Sequence, residues 1–133
     1  MKVTRINPPD LARSPSYSQA ISVEGARQVI FISGQVARDA NGSVVGQGDL
    51  RIQAAKAYEN LVLALQAAGS SPADLVKITT FVVGWRSEYL AMIHEARQSV
   101  FGPEVVPASS LIGVDSLVDS NLLIEVEGIA VRA

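Results

Sequence analysis

Glu125 and Glu127 stand two residues apart in an otherwise apolar run, Leu123-Ile124-Glu125-Val126-Glu127-Gly128-Ile129. In a β-strand that spacing puts both side chains on one face. A carboxylate in such surroundings must be ion-paired, hydrogen-bonded or partly protonated. Two readings follow: a structural pair that accepts backbone N–H groups or binds an arginine, or a working carboxylate that positions a water or shuttles a proton. His94, the only histidine, has Leu90, Arg97 and Phe101 at helical spacing around it, so it is either a helix histidine with a packing role or the polar group of a pocket. Tyr17 follows Pro15 in the polar segment 14–19, where packing and pocket lining are both open to it.

Other chemistries lack their residues. There is no cysteine, which removes disulfides, thiolate nucleophiles and Cys-ligated metals, and one histidine cannot make a multi-histidine metal site. No GxGxxG or GxxxxGK[ST] follows a strand, and GxSxG is absent. Gly42, Gly46 and Gly48 fall loosely in a turn region rather than in a phosphate loop. With 11 basic and 13 acidic residues the formal charge is -2, and aromatic and basic residues are not interleaved, so neither nucleic acid nor an anionic membrane is an expected partner. No apolar run approaches the roughly 18 residues of a membrane span, and Met1-Lys2-Val3-Thr4-Arg5 opens no secretion segment, which makes the cytoplasm the expected location.

The elements that must position these residues read as one α+β domain over 1–133. Residues 1–6 alternate, and Pro8-Pro9 stops them. Strands are expected at 20–24 and 28–33, joined as a hairpin through Glu24-Gly25, and Asp39-Ala40-Asn41-Gly42 favours a tight turn. Asp49 is placed to cap a helix running to about Ala68, with Leu50, Ala54, Ala57, Leu61, Leu65 and Ala68 on its buried face and Gly69 ending it. A strand at 77–83 follows. Ser87 is the expected cap of a second helix to Phe101, stopped by Gly102-Pro103. Strands at 105–114 and 122–131 close the chain. Two helices cover one face of a mixed sheet. The strands at 28–33, 77–83 and 122–131 are apolar on both parities, so the second face should also be covered, by loops or by another subunit.

Five pieces, in their order and spacing, carry a family resemblance: Pro15-Ser16-Tyr17-Ser18-Gln19; Val29-Ile30-Phe31-Ile32-Ser33-Gly34-Gln35; Asn60-Leu61 through Ala67-Ala68-Gly69; Asp74-Leu75-Val76-Lys77-Ile78-Thr79-Thr80-Phe81-Val82; and Ile124-Glu125-Val126-Glu127-Gly128-Ile129-Ala130-Val131. Over essentially its whole length the chain resembles the RidA (YjgF/UK114) family. The resemblance implies a RidA/chorismate-mutase-like mixed sheet in a homotrimer, with three sheets forming a central barrel, helices outside and active sites in the inter-subunit clefts. It also implies cofactor-free, metal-free hydrolysis of reactive enamines and imines to a 2-oxo acid and ammonia. By the same resemblance Tyr17 and Gly34 line the pocket, Glu125 orients the attacking water, and His94 falls near a polar pocket position.

The departure lies at residues 107–110. Where the family reads Pro-Ala-Arg-Ser, this chain reads Pro107-Ala108-Ser109-Ser110, which puts Ser109 at the position of the arginine that grips the substrate carboxylate. Ser109, Ser110 and Leu111 would then line the substrate pocket without a cation. A serine hydroxyl supplies neither the charge nor the two-pronged geometry of a guanidinium. The loss is worth a few kcal/mol, roughly a hundredfold in efficiency on a carboxylate substrate. Arg86 and Arg97 are the alternative cations that could reach the substrate from another direction. The expected function is a hydrolase or deaminase on a small imine, enamine or related compound other than the usual 2-aminoacrylate. The alternative is a non-catalytic small-ligand binding or interaction protein on the same scaffold.

Overall fold

In the computed structural model, which describes residues 1–133, six strands and two helices follow the expected order: β1 (Lys2–Ile6), β2 (Ala20–Glu24), β3 (Gln28–Val36), α1 (Leu50–Ala67), β4 (Leu75–Val83), α2 (Leu90–Phe101), β5 (Ala108–Val114) and β6 (Ile124–Arg132). The main sheet runs β3-β6-β4-β5. β6 is antiparallel to both of its neighbours, and β4 and β5 are parallel, joined by the crossover through α2.

The expected hairpin of 20–24 with 28–33 does not form. β2 pairs instead with β1, Lys2 opposite Glu24, in a separate two-stranded ribbon. After Gly25 turns with φ +69°, the Arg27 N–H donates to the Arg132 carbonyl at 2.9 Å, which commits β3 to β6. The reason is burial: Ile30 and Ile32 of β3 must reach the helix-covered core, and β6 supplies Val126 and Ala130 beside them there, whereas the short alternating β2 can only cover one side of β1.

Both helices lie on one side of the sheet. Asp49 caps α1 as expected, its Oδ1 accepting from the Ile52 N–H at 3.0 Å, and Ala54, Ala57, Leu61 and Leu65 are fully buried. Tyr58 joins them and meets Phe101 of α2 edge to face, with ring centroids 5.3 Å apart. The second helix starts later than expected. Ser87–Tyr89 is a separate 3-10 turn without a side-chain cap, and Tyr89 turns its ring toward Trp85 at 6.3 Å. β5 and β6 also start later than their apolar runs. Pro107 has no N–H to give a ladder, so β5 begins at Ala108. The Leu123 N–H is taken by the Gln53 side chain at 2.8 Å, so β6 begins at Ile124.

Between register shifts at Ile32/Gln35 and Leu75/Lys77, side chains alternate across the sheet. Ile78, Thr80, Val82, Ile124, Val126 and Ala130 face the helices and are buried. The other face is mixed rather than wholly apolar: Phe31 (77 % exposed) and Val29 (52 %) stand open, while Lys77, Thr79, Phe81, Glu125, Glu127 and Ile129 share the centre through their register across β4 and β6.

Candidate active site

The polar loop before β2 is fastened to the far edge of the sheet. The Ser18 N–H donates to the Pro107 carbonyl at 3.1 Å, the Ser18 hydroxyl to the Val106 carbonyl at 2.7 Å, and Ser18 bridges Ala108 in parallel fashion. That holds Tyr17, half-buried, over the start of β5. On α2, Ile93, His94 and Arg97 lie on the face turned toward this loop, since residues three and four apart share a side of a helix. The Ser16 hydroxyl meets His94 Nδ1 at 3.3 Å, and Arg97 Nη2 donates to the Ser16 carbonyl.

Between loop, α2 and β5 lies a cavity of about 320 Å³. It is lined by Ser14, Tyr17, Tyr58, Thr80, Leu90, Ile93, His94, Arg97, Ser109 and Leu111. Tyr17 and His94, singled out by residue type and position, and Ser109 and Leu111, placed in the pocket by the resemblance, come from separate parts of the chain, and here they line one cavity. Burial and the nearby Arg97 charge hold the His94 imidazole below its ordinary pKa of 6.5, so it is neutral at pH 7. Burial raises the Tyr58 phenol, which shares a 3.3 Å hydrogen bond with Thr80, and the ring stays protonated. The cavity therefore contains one charge, the Arg97 guanidinium, which keeps it although burial lowers its pKa. Arg86, the other alternative cation, is exposed and does not line the cavity.

Glu125 and Gly34 are elsewhere. Glu125 is half-buried on the helix-free face, opposite Phe81 of β4. β3 carries an extra residue between Ile32 and Gln35, a bulge that sets Gly34 against the Glu125 side chain. A Cβ on residue 34 would overlap the Glu125 carboxylate and lie 2.7 Å from its Cδ. Gly34 does not have a positive φ, so glycine is needed here for space and not for backbone freedom. Glu125 makes neither a side-chain hydrogen bond nor an ion pair within the chain.

Glu127 is exposed on the same face, in a shallow depression of about 260 Å³ that also contains Phe31, Lys77 and Thr79. Ser110 also belongs to this side, accepting from Lys77 Nζ at 2.9 Å, so adjacent serines point to opposite faces of the edge strand β5. Within one chain the candidate residues thus fall into two groups separated by the thickness of the sheet: Tyr17, His94, Ser109 and Leu111 on the helix side; Gly34, Ser110 and Glu125 on the other. Ser14, Tyr58 and Thr80 also line the cavity, and no local pattern marks them as doing so. Helical spacing from His94 does point to Arg97, but pattern alone cannot tell a cavity-facing arginine from a solvent-facing one. No group of histidine, cysteine or carboxylate side chains is arranged to hold a metal ion.

Known proteins share this fold. A solved structure from Yersinia pestis, described as a protein of unknown function of the conserved Rid family, superimposes with a TM-score of 0.90 at 36 % identity, covering 99 % of this chain and all of that one. A RutC family protein of Pyrococcus horikoshii is 34 % identical over 116 residues, 87 % of this chain and 86 % of the relative. A 2-iminobutanoate/2-iminopropanoate deaminase of Dermatophagoides farinae is 29 % identical over 133 residues, 98 % of each chain. The family model described as endoribonuclease L-PSP matches residues 9–132, and with its helix-backed mixed sheet the chain belongs to that family, the RidA (YjgF/UK114) proteins.

Proposed function

We propose that the chain is a cofactor-free hydrolase of the deaminase type, acting on a small imine, enamine or related compound in clefts between the subunits of a homotrimer. Family membership supports the general activity, and the deaminase of Dermatophagoides farinae supports the imine class. The observation that carries the reading is the division of the candidate residues. A cavity built from Tyr17, His94 and Ser109 has no carboxylate in its lining, while Glu125 stands unpaired on the opposite, partly apolar face. Packing that face against a second copy covers Phe31 and Val29 and brings a Glu125 to a neighbour's cavity. The number three comes from the resemblance.

In this reading Glu125 accepts a hydrogen bond from a water and directs it at the imine carbon. Water adds across the C=N bond, and the nitrogen takes up protons and leaves as ammonia, giving the carbonyl product. Tyr17 and His94 hold the substrate by hydrogen bonds. Ser109 gives no charge, so a three-carbon imino acid derived from 2-aminoacrylate is poorly held on the β5 side.

The test is release of ammonia or 2-oxo acid from imines generated enzymatically, with the wild type, Ser109→Arg and an arginine-bearing relative side by side. Slow wild-type turnover of the 2-aminoacrylate product, raised by Ser109→Arg, supports the reading. Wild-type turnover equal to the relative's removes the role given to Ser109. A small ligand that is bound and never consumed, across a range of imines, replaces the hydrolase with a binding protein.

A further inference from the structure

We propose that Arg97 has taken over the anion grip of this cavity, so that α2 rather than β5 supplies the guanidinium that receives the carboxylate of the ligand; the substrate half of this statement rests on the function proposed above. Arg97 is 4 % exposed yet has no Asp or Glu within ion-pair distance, the chain's three ion pairs lying elsewhere. Its one protein hydrogen bond uses Nη2, on the Ser16 carbonyl. The part of the cavity lining that one chain supplies contains no acidic side chain. Neither Tyr58 nor His94 neutralises the charge, because one stays a phenol and the other a neutral imidazole at pH 7. A buried guanidinium without a counter-charge is unfavourable, and an anion entering the cavity removes that penalty.

A carboxylate fits better than a phosphate. It is planar and singly charged, and it matches the free edge of one guanidinium. A phosphate carries about twice the charge and three oxygens to satisfy, and Arg97 is the only cation in the lining. The hydroxyls of Ser109 and Tyr17 remain available to the ligand's uncharged atoms. Moving the anchor from one element to another moves the reacting carbon with it, so the substrate ranked best differs in chain length from the three-carbon imino acid.

The experiment measures binding, which separates it from turnover. Purified wild type, Arg97→Gln and Arg97→Lys are titrated with 2-oxobutanoate, with inorganic phosphate and with acetamide as an uncharged control, by calorimetry and by the NMR signals of the His94 ring. The wild type is expected to bind 2-oxobutanoate well above phosphate and acetamide. Arg97→Gln should weaken binding at least tenfold. Arg97→Lys, which keeps the charge and loses the fork, should weaken it less, and it keeps the test valid if the glutamine variant fails to fold. Saturation should raise the apparent pKa of His94, since the ligand's charge offsets that of Arg97; the groups facing the ring are Arg97, the Ser16 hydroxyl and the cavity tyrosines.

Four results overturn the proposal: equal affinity for phosphate, an Arg97→Lys variant that binds as the wild type does, a His94 titration unmoved by ligand, or a wild type that fails to bind 2-oxobutanoate. In the last case, binding gained by a Glu125→Gln variant in the same titration assigns the neighbour's carboxylate as the counter-charge. Arg97-dependent binding without imine turnover leaves the anion grip standing and removes the hydrolase. Turnover indifferent to Arg97→Lys does the reverse.

Discussion

Gly34→Ala separates the position of Glu125 from its presence. The ideal Cβ falls 2.7 Å from Glu125 Cδ and 3.0 Å from Cγ, whereas ordinary contact begins near 3.4 Å, so the carboxyl group must retreat by about 0.7 Å or more. What yields is the far end of a flexible side chain on the helix-free face, and the backbone at Gly34 has no positive φ for alanine to resist. An off-rotamer side chain costs about 0.5–1.5 kcal/mol, while replacing glycine restricts the unfolded chain and returns about 0.4–1 kcal/mol. The two nearly cancel, and the melting temperature should stay within about 5 °C of wild type. Catalysis is less forgiving: a misplacement of about 1 Å in a positioned group costs on the order of a hundredfold. The assay is imine turnover beside thermal melting for the wild type, Gly34→Ala and Glu125→Gln, the last removing the charge while keeping the shape. Both variants should fold normally and both should lose activity. Wild-type turnover by Gly34→Ala would show that the placement of Glu125 does not matter. A melting temperature lowered by more than about 10 °C in either variant would make the contact a packing device and refute the argument.

Phe31→Glu places a charge on the most open apolar side chain of the helix-free face, 77 % exposed in the single chain; light scattering at micromolar concentration should show a trimer for the wild type and smaller species for the variant, and a wild-type monomer would refute the assembly. His94 gives a pH dependence. Its folded pKa lies below the ordinary 6.5, so as pH falls through that value the unfolded chain takes the proton first and the native state loses stability until the folded group also protonates. His94→Gln should flatten the decline in melting temperature between about pH 7 and pH 5, and identical curves would count against the buried, cation-facing placement. Asp49→Ala removes the hydrogen bond to the Ile52 N–H and should cost about 1 kcal/mol in denaturant melts without changing ligand binding.

Much of this was visible in the residue pattern because periodicity reports burial. Leu61 and Leu65 on α1, and Ile78 and Val82 on β4, are buried where three-to-four and two-residue spacing require. Pairing was less visible. Residues 20–24 and 28–33 are neighbours in sequence, and only the competition for β6, a long-range partner, separates them into different sheets. Strands apolar on both parities suggest an apolar helix-free face, yet register gathers Lys77, Thr79, Glu125 and Glu127 at its centre. For the site, Glu125 and Tyr17 stand out by residue type and surroundings, and Ser109 and the roles of all three come from the resemblance, while their assignment to two sides of a sheet depends on strand order and on the bulge at Ser33-Gly34, neither of which a local pattern encodes. Arg97 was on the correct helical line, but its lack of a counter-charge becomes apparent only when the whole cavity lining is known.

The buried Gln53 has a mechanical consequence. Its amide nitrogen donates to the carbonyls of Asn121 at 2.8 Å and Gly46 at 3.2 Å, while its oxygen holds the Leu123 N–H. Arg38 meets Asp119 at 3.5 Å beside it, and Gln47 donates to Asn121 at 2.9 Å. The entrance to β6 is thus anchored from α1 and its approach loop rather than by the chain arriving from β5. Residues 115–118, with Val118 84 % exposed, join two fixed points without belonging to either. Because loop length affects closure entropy only logarithmically, this tether can be lengthened, cut and rejoined, or made to display a foreign peptide, while the strand that carries Glu125 keeps its register.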